Sequence, residues 1–157
     1  MTNDTRAIFL DIDGTLIPFG AETPCEQDRT ALLRARAAGH KVLINTGRSS
    51  GFLPPVLRTA DYLDGFLCGC GTQLIIGGKT LFKQEIPREA LRQVLAYFLE
   101  SPGEGCFFEG ETALLTIKRT HPQGQMLTRA DDFDTRFAGE SVTKLTIWGA
   151  PTQQQRR

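Results

Sequence analysis

Short apolar runs alternate with amphipathic stretches along the first seventy residues. Residues 7–12 (AIFLDI) form a run of the length expected for a strand buried on both faces. Asp13-Gly14-Thr15 breaks it. Residues 23–38 read as a helix with Thr23 at the N-cap, Pro24 at the first helical position and Glu26 completing a capping box. Leu32, Leu33, Ala35 and Ala37 supply its apolar surface, and Gly39 suits the position just past its end. Residues 41–45 (KVLIN) predict a second strand, so strand, helix and strand make a right-handed parallel βαβ unit. Ser50 is expected to cap a short helix carrying Pro54, Pro55, Val56 and Leu57, and residues 65–68 (GFLC) predict a third strand. This repeating β-α order is that of a doubly wound α/β layer with three parallel strands.

From about Gly71 the pattern changes. Residues 74–76 and 80–82 around Gly77-Gly78 read as a hairpin with a glycine turn. Residues 87–100 place Leu91, Val94, Leu95, Phe98 and Leu99 on one helical face. Residues 106–109 and 112–118 predict strands around Gly110-Glu111, and residues 144–148 another. The expected division is therefore an α/β portion over residues 1–72 and an α+β portion over residues 73–157. Residues 121–139 are polar and irregular, and Asp131-Asp132-Phe133-Asp134 within them reads as a solvated charge run.

Composition narrows the function classes. The 157 residues are 40% hydrophobic and 23% charged, which argues against disorder. Lys+Arg 18 balances Asp+Glu 18, so there is no electrostatic footprint for nucleic acid or an anionic membrane. No apolar run is long enough to span a bilayer, and the polar start of the chain does not read as a signal peptide. Cys25, Cys68, Cys70 and Cys106 are expected to be reduced thiols of a cytoplasmic protein. The Cys68-x-Cys70 pair has no second pair at ligand spacing, and it reads as small residues closing a buried strand.

The chemistry is concentrated at Asp11-Ile12-Asp13-Gly14-Thr15-Leu16. Two carboxylates two residues apart at a strand's carboxyl end project to one side, while Ile12 turns away. Ligands of open α/β sheets bind at that end. Two like charges so close call for a cation, and oxygen ligands in a small cleft favour Mg²⁺. Asn45-Thr46-Gly47-Arg48 ends the neighbouring strand, where a hydroxyl and a free Gly N–H suit phosphate oxygens. Arg48 has two readings, as a partner of an oxyanion or of a neighbouring carboxylate.

D-I-D-G-T-L followed by N-T-G-R resembles the haloacid dehalogenase (HAD) superfamily, and within it the Cof-type phosphatases. Gly69 to Gln73 with the following Gly-Gly hairpin is similar to the start of that subfamily's C2-type cap. The resemblance runs from Ala7 to Trp148 and implies a partial Rossmann-like core followed by part of a cap. It implies Asp11 as nucleophile, forming an aspartyl-phosphate, and Asp13 as general acid and base. Mg²⁺ would be held by the Asp11 carboxylate and the Asp13 carbonyl. Thr46 and Gly47 would bind the phosphoryl group, with Arg48 as a further phosphate contact. The segment from Leu16 to Gly20 would begin a mobile turn gating the site. The implied substrate is a small phosphorylated metabolite.

Two family elements have no counterpart here: a lysine after the cap, and an acidic G-D-x-x-N-D-like strand end that completes the metal shell. Lys144 opens a strand inside the expected cap and does not fill the lysine's place. The chain is therefore expected to be a truncated form with impaired turnover, and its abrupt polar end at residues 153–157 to mark the break. The first strand is then an apolar edge through which chains associate. The alternative is a non-catalytic phosphate-binding or regulatory remnant; a third reading is a phosphomutase.

Overall fold

The computed structural model describes residues 4–101 and 105–148. The tail over residues 153–157 lies outside them. The chain forms two compact units, residues 1–83 and 84–157, each with its own sheet and core.

In the first unit, β1 (Ala7–Leu10), β2 (Lys41–Asn45) and β3 (Gly65–Cys68) run parallel, as expected, in the order β1-β2-β3, with Leu10 beside Ile44 and Ile44 beside Phe66. Val42 and Ile44 are fully buried, as a strand covered on its helix-bearing face requires. β1 is the sheet edge, and Phe9 on it is half exposed. Helix α1 (Glu26–Ala37) connects β1 to β2 and turns Leu32, Leu33 and Ala35 onto the core formed with Ile12, Val42, Ile44 and Leu57.

The start of α1 differs from expectation. Its N-cap is Cys25, whose Sγ accepts from the Asp28 N–H at 3.4 Å, and Thr23 and Pro24 precede it. Thiol sulfur is a weak acceptor, but the chain enters the helix two residues later than the capping box predicts. Gly39 closes the helix with φ +89, as expected. Ser50 begins a 3₁₀ turn rather than capping a helix, and the short α2 (Pro55–Arg58) starts with Pro54 at its N-cap.

The hairpin β4 (Gln73–Ile76) and β5 (Lys79–Lys83) corrects the expected division at residue 72. β4 pairs antiparallel with β3, so both strands extend the first sheet in the order β1-β2-β3-β4-β5. Gly65 explains the close fit. A Cβ there would collide with the Ile75 carbonyl oxygen and lie 2.7 Å from the Ile76 side chain. The boundary falls after Lys83.

The second unit is α+β. α3 (Arg88–Glu100) lays Leu91, Leu95 and Phe98 on a sheet of β6 (Gly105–Gly110), β7 (Leu114–Ile117), β8 (Gly124–Met126) and β9 (Val142–Trp148), ordered β8-β7-β6-β9. Alternation along β6 buries Cys106 and Phe108, and the Phe108 ring meets Phe133 edge-on at 5.0 Å. Arg88 gathers the following loop by donating to the Phe133, Phe137 and Glu140 carbonyls at 2.7–3.1 Å.

Asp132 overturns the reading of residues 131–134 as a solvated run. It is fully buried and accepts from the Thr128 and Arg129 N–H groups at 2.7 and 3.0 Å. Burial opposes its ionisation, yet those donors and Arg136 outweigh burial and hold its carboxyl below the usual range. Lys144 pairs with Glu109 at 2.8 Å within the second sheet.

Candidate active site

The parallel strands end together, and the loops that follow them are stitched to one another. Thr46 donates its N–H to the Leu67 carbonyl at 2.9 Å, and its own carbonyl accepts from Cys70 N–H at 3.2 Å. Gly69 N–H donates to the Arg48 carbonyl at 2.7 Å. Thr46 is buried, and its Oγ1 accepts from the Arg48 N–H at 3.2 Å, which shapes the turn into Gly47.

Asp11 and Asp13 are both exposed and flank the buried Ile12, the alternation expected of a strand end. The loop is then drawn tight. Gly14 N–H donates to the Ile17 carbonyl and Ile17 N–H to the Ile12 carbonyl, both at 2.9 Å. Gly14 sits at φ +76, with the Phe19 ring where a Cβ would stand. Leu16 and Ile17 are core residues, so the exposed part of the turn begins only at Pro18. This narrows the segment expected to move.

Arg48 is paired with a neighbouring carboxylate. Its guanidinium grips Asp13 bidentately, Nε to Oδ2 at 2.9 Å and Nη2 to Oδ1 at 2.7 Å, while Nη1 donates to the Phe52 carbonyl at 3.1 Å. The hydrogen bonds from Arg48 hold the Asp13 carboxyl below the usual carboxylate range against partial burial. The Asp11 carboxylate, by contrast, takes no side-chain hydrogen bond or ion pair among the described residues.

The profile of the haloacid dehalogenase-like hydrolases matches residues 8–146. The chain belongs to this family. A protein of Bacillus subtilis (strain 168) named "Putative phosphatase YkrA" is 26% identical over 151 residues, covering 92% of this chain and 58% of its own length. The HAD subclass IIB sugar phosphatase BT4131 superposes with a TM-score of 0.62 at 27% identity, over 89% of this chain and 52% of its own. BT1666 from Bacteroides thetaiotaomicron shares the fold over 99% of this chain and 60% of its own, with a TM-score of 0.76 at 20% identity. The HAD chain described here thus spans little more than half the length of these relatives.

Within that family frame the oxygen donors at the strand ends suit a hard cation. The Asp11 carboxylate and the Asp13 carbonyl accept no hydrogen bond among the described residues, and all the donors are oxygen, as Mg²⁺ requires. No group of three His, Cys, Asp or Glu side chains fit to hold a metal occurs among the described residues. The C-x-C pair diverges: Cys68 is buried, its thiol pushed up to about 11 by burial, while Cys70 is exposed at φ +58.

Asp13 and Arg48 border a recess of about 510 Å³ lined also by Phe19, Pro54, Pro55 and Val56. The sequence places Phe19 within the expected gating turn and does not single out Pro54, Pro55 or Val56 as site residues. The one local signal is a large aromatic, Phe19, alone in an otherwise small and polar loop.

Proposed function

We propose that this chain carries the nucleophile and phosphate-binding half of a Mg²⁺-dependent phosphatase acting on small phosphorylated metabolites. The observation that carries the reading is the juxtaposition of an exposed, unengaged Asp11 carboxylate with the buried Thr46 turn at adjacent parallel strand ends. In this reading Asp11 Oδ attacks phosphorus in line, the ester P–O bond breaks, and an aspartyl-phosphate forms on Asp11. Thr46 Oγ1 and the Gly47 N–H hold the phosphoryl oxygens. Asp13 gives its proton to the leaving oxygen and later takes one from the water that releases phosphate. Mg²⁺, held by the Asp11 carboxylate and the Asp13 carbonyl, would neutralise charge on the phosphoryl group.

The Arg48–Asp13 pair bears on protonation. While gripped, Asp13 is ionised at neutral pH and cannot act as an acid. A phosphoryl oxygen competing for the Arg48 guanidinium loosens that grip, and its negative charge beside Asp13 favours the protonated carboxyl. The reading places the protein in the cytoplasm, supported by four free cysteines, and includes self-association through the free β1 edge, where Phe9 is exposed.

A second reading, binding of phosphate esters without turnover, is supported by the same ion pair and by the incomplete ligand set among the described residues. One experiment separates the two. The chain is incubated with p-nitrophenyl phosphate and Mg²⁺, and binding and phosphate release are measured in parallel. Slow turnover abolished by Asp11→Asn supports catalysis. Saturable binding without release supports the second reading, and absence of binding overturns both.

A further inference from the structure

We propose that the recess beside Asp13 receives the organic group of the ester and selects apolar or aromatic leaving groups over polyhydroxylated ones. This inference rests on the reading of Asp11 as nucleophile and Asp13 as leaving-group acid. Its basis is which carboxylate faces the recess. Asp13 and Arg48 line it, and Asp11 does not. In an in-line displacement the bond to Asp11 forms on one side of phosphorus and the bond to the leaving oxygen breaks on the other. The Asp13 proton goes to that oxygen, and the alcohol departs on Asp13's side, toward the recess.

The lining decides what kind of alcohol fits. Eight of its thirteen lining residues carry apolar side chains, Phe19, Pro54, Pro55 and Val56 among them. The three prolines on the lining have no N–H to offer a substrate hydroxyl. Besides Asp13 and Arg48, polar side chains on the lining among the described residues come from Glu22 and Thr23. A sugar placed here exchanges water for apolar carbon and leaves hydroxyls without partners, whereas a ring or alkyl group loses only water. Phe19 is 87% exposed in this conformation, and a planar leaving group covering it removes the largest exposed apolar surface beside the site from water. At about 510 Å³ the recess holds a group the size of a substituted ring.

The test uses the 157-residue chain with Mg²⁺ and three probes, namely inorganic phosphate, phenyl phosphate and glucose 6-phosphate, with affinities read by NMR titration. Phenyl phosphate is expected to bind about tenfold more tightly than glucose 6-phosphate. Phe19→Ala, a change at an exposed position, brings that ratio close to one. Leu81→Ser, an exposed apolar control on the β5 hairpin, leaves it in place. Binding of inorganic phosphate with no preference between the esters overturns this inference and leaves the Asp11–Thr46 reading standing. A preference that survives Phe19→Ala and Val56→Ser also overturns it. Failure of all three probes to bind overturns both.

Discussion

Arg48 and Asp13, thirty-five residues apart, are joined by two parallel hydrogen bonds of 2.9 and 2.7 Å. The planar guanidinium matches the carboxylate edge to edge, so one contact ties the loop after β1 to the loop after β2. Arg48→Ala removes both donors that hold the Asp13 carboxyl below its ordinary range. The Asp13 carboxyl should then titrate at higher pH than in the parent chain, toward its ordinary value of 3.8. A carboxyl-carbon NMR titration reads this directly, and an unchanged midpoint rejects the pair as a determinant of Asp13's charge.

Thr46 offers its hydroxyl to the Arg48 N–H, and in the proposed mechanism to a phosphoryl oxygen. Thr46→Val keeps the shape and removes the hydroxyl. Phosphate affinity should fall about tenfold, the effect of losing one hydrogen bond to a charged ligand. Serine at this position should restore most of it, as measured by the same titration.

At Gly65 on β3, the missing Cβ is what admits the Ile75 carbonyl of β4. Gly65→Ala forces the hairpin away from the parallel strands. We expect a loss of about 3 kcal/mol in stability, measured by urea unfolding, with the second unit's transition left in place.

Asp64 anchors the start of β3 to β2. Its carboxylate accepts from the Val42 N–H at 2.9 Å and pairs with Arg36 at 3.1 Å and Lys41 at 3.4 Å. Burial opposes ionisation, but these donors prevail and keep its folded-state pKa below the ordinary 3.8. The stabilisation is therefore fully present above the unfolded-state pKa and is lost as pH falls through the folded value. Acid unfolding of the first unit should begin below about pH 4, and Asp64→Asn should flatten that dependence. Circular dichroism across pH 2–6 checks both.

The four thiols should divide by burial. Cys25 and Cys70 are exposed, while burial pushes the Cys68 and Cys106 thiols up to about 11 and about 12. A thiol reagent at pH 8 should label two quickly in the native chain and all four after unfolding.

Much of the fold can be read from local pattern. The apolar runs at residues 7–12, 41–45 and 65–68 correspond to the parallel strands, because strands with a buried face carry continuous apolar residues. The face of Leu91, Leu95 and Phe98 is legible for the same periodic reason. The start of α1 is not, because Thr23-Pro24 and Cys25 offer competing caps and only the packed chain chooses between them. The burial of Asp132 is not legible in the sequence, because its neighbours Asp131 and Asp134 are charged too. What buries it is a turn whose N–H groups point inward at Thr128 and Arg129.

The sequence alone determined the three parallel strands and the placing of Asp11, Asp13, Thr46 and Gly47 after two of them. Residue alternation and strand–turn chemistry are local, and they are written within a few residues of each motif. Tertiary structure decided the rest: that Arg48 grips Asp13, that the Gly77-Gly78 hairpin joins the first sheet, and that Phe19 faces a recess walled by Pro54, Pro55 and Val56. Each of these pairs residues distant along the chain, and such contacts depend on how the helices and loops bring strand ends together in space.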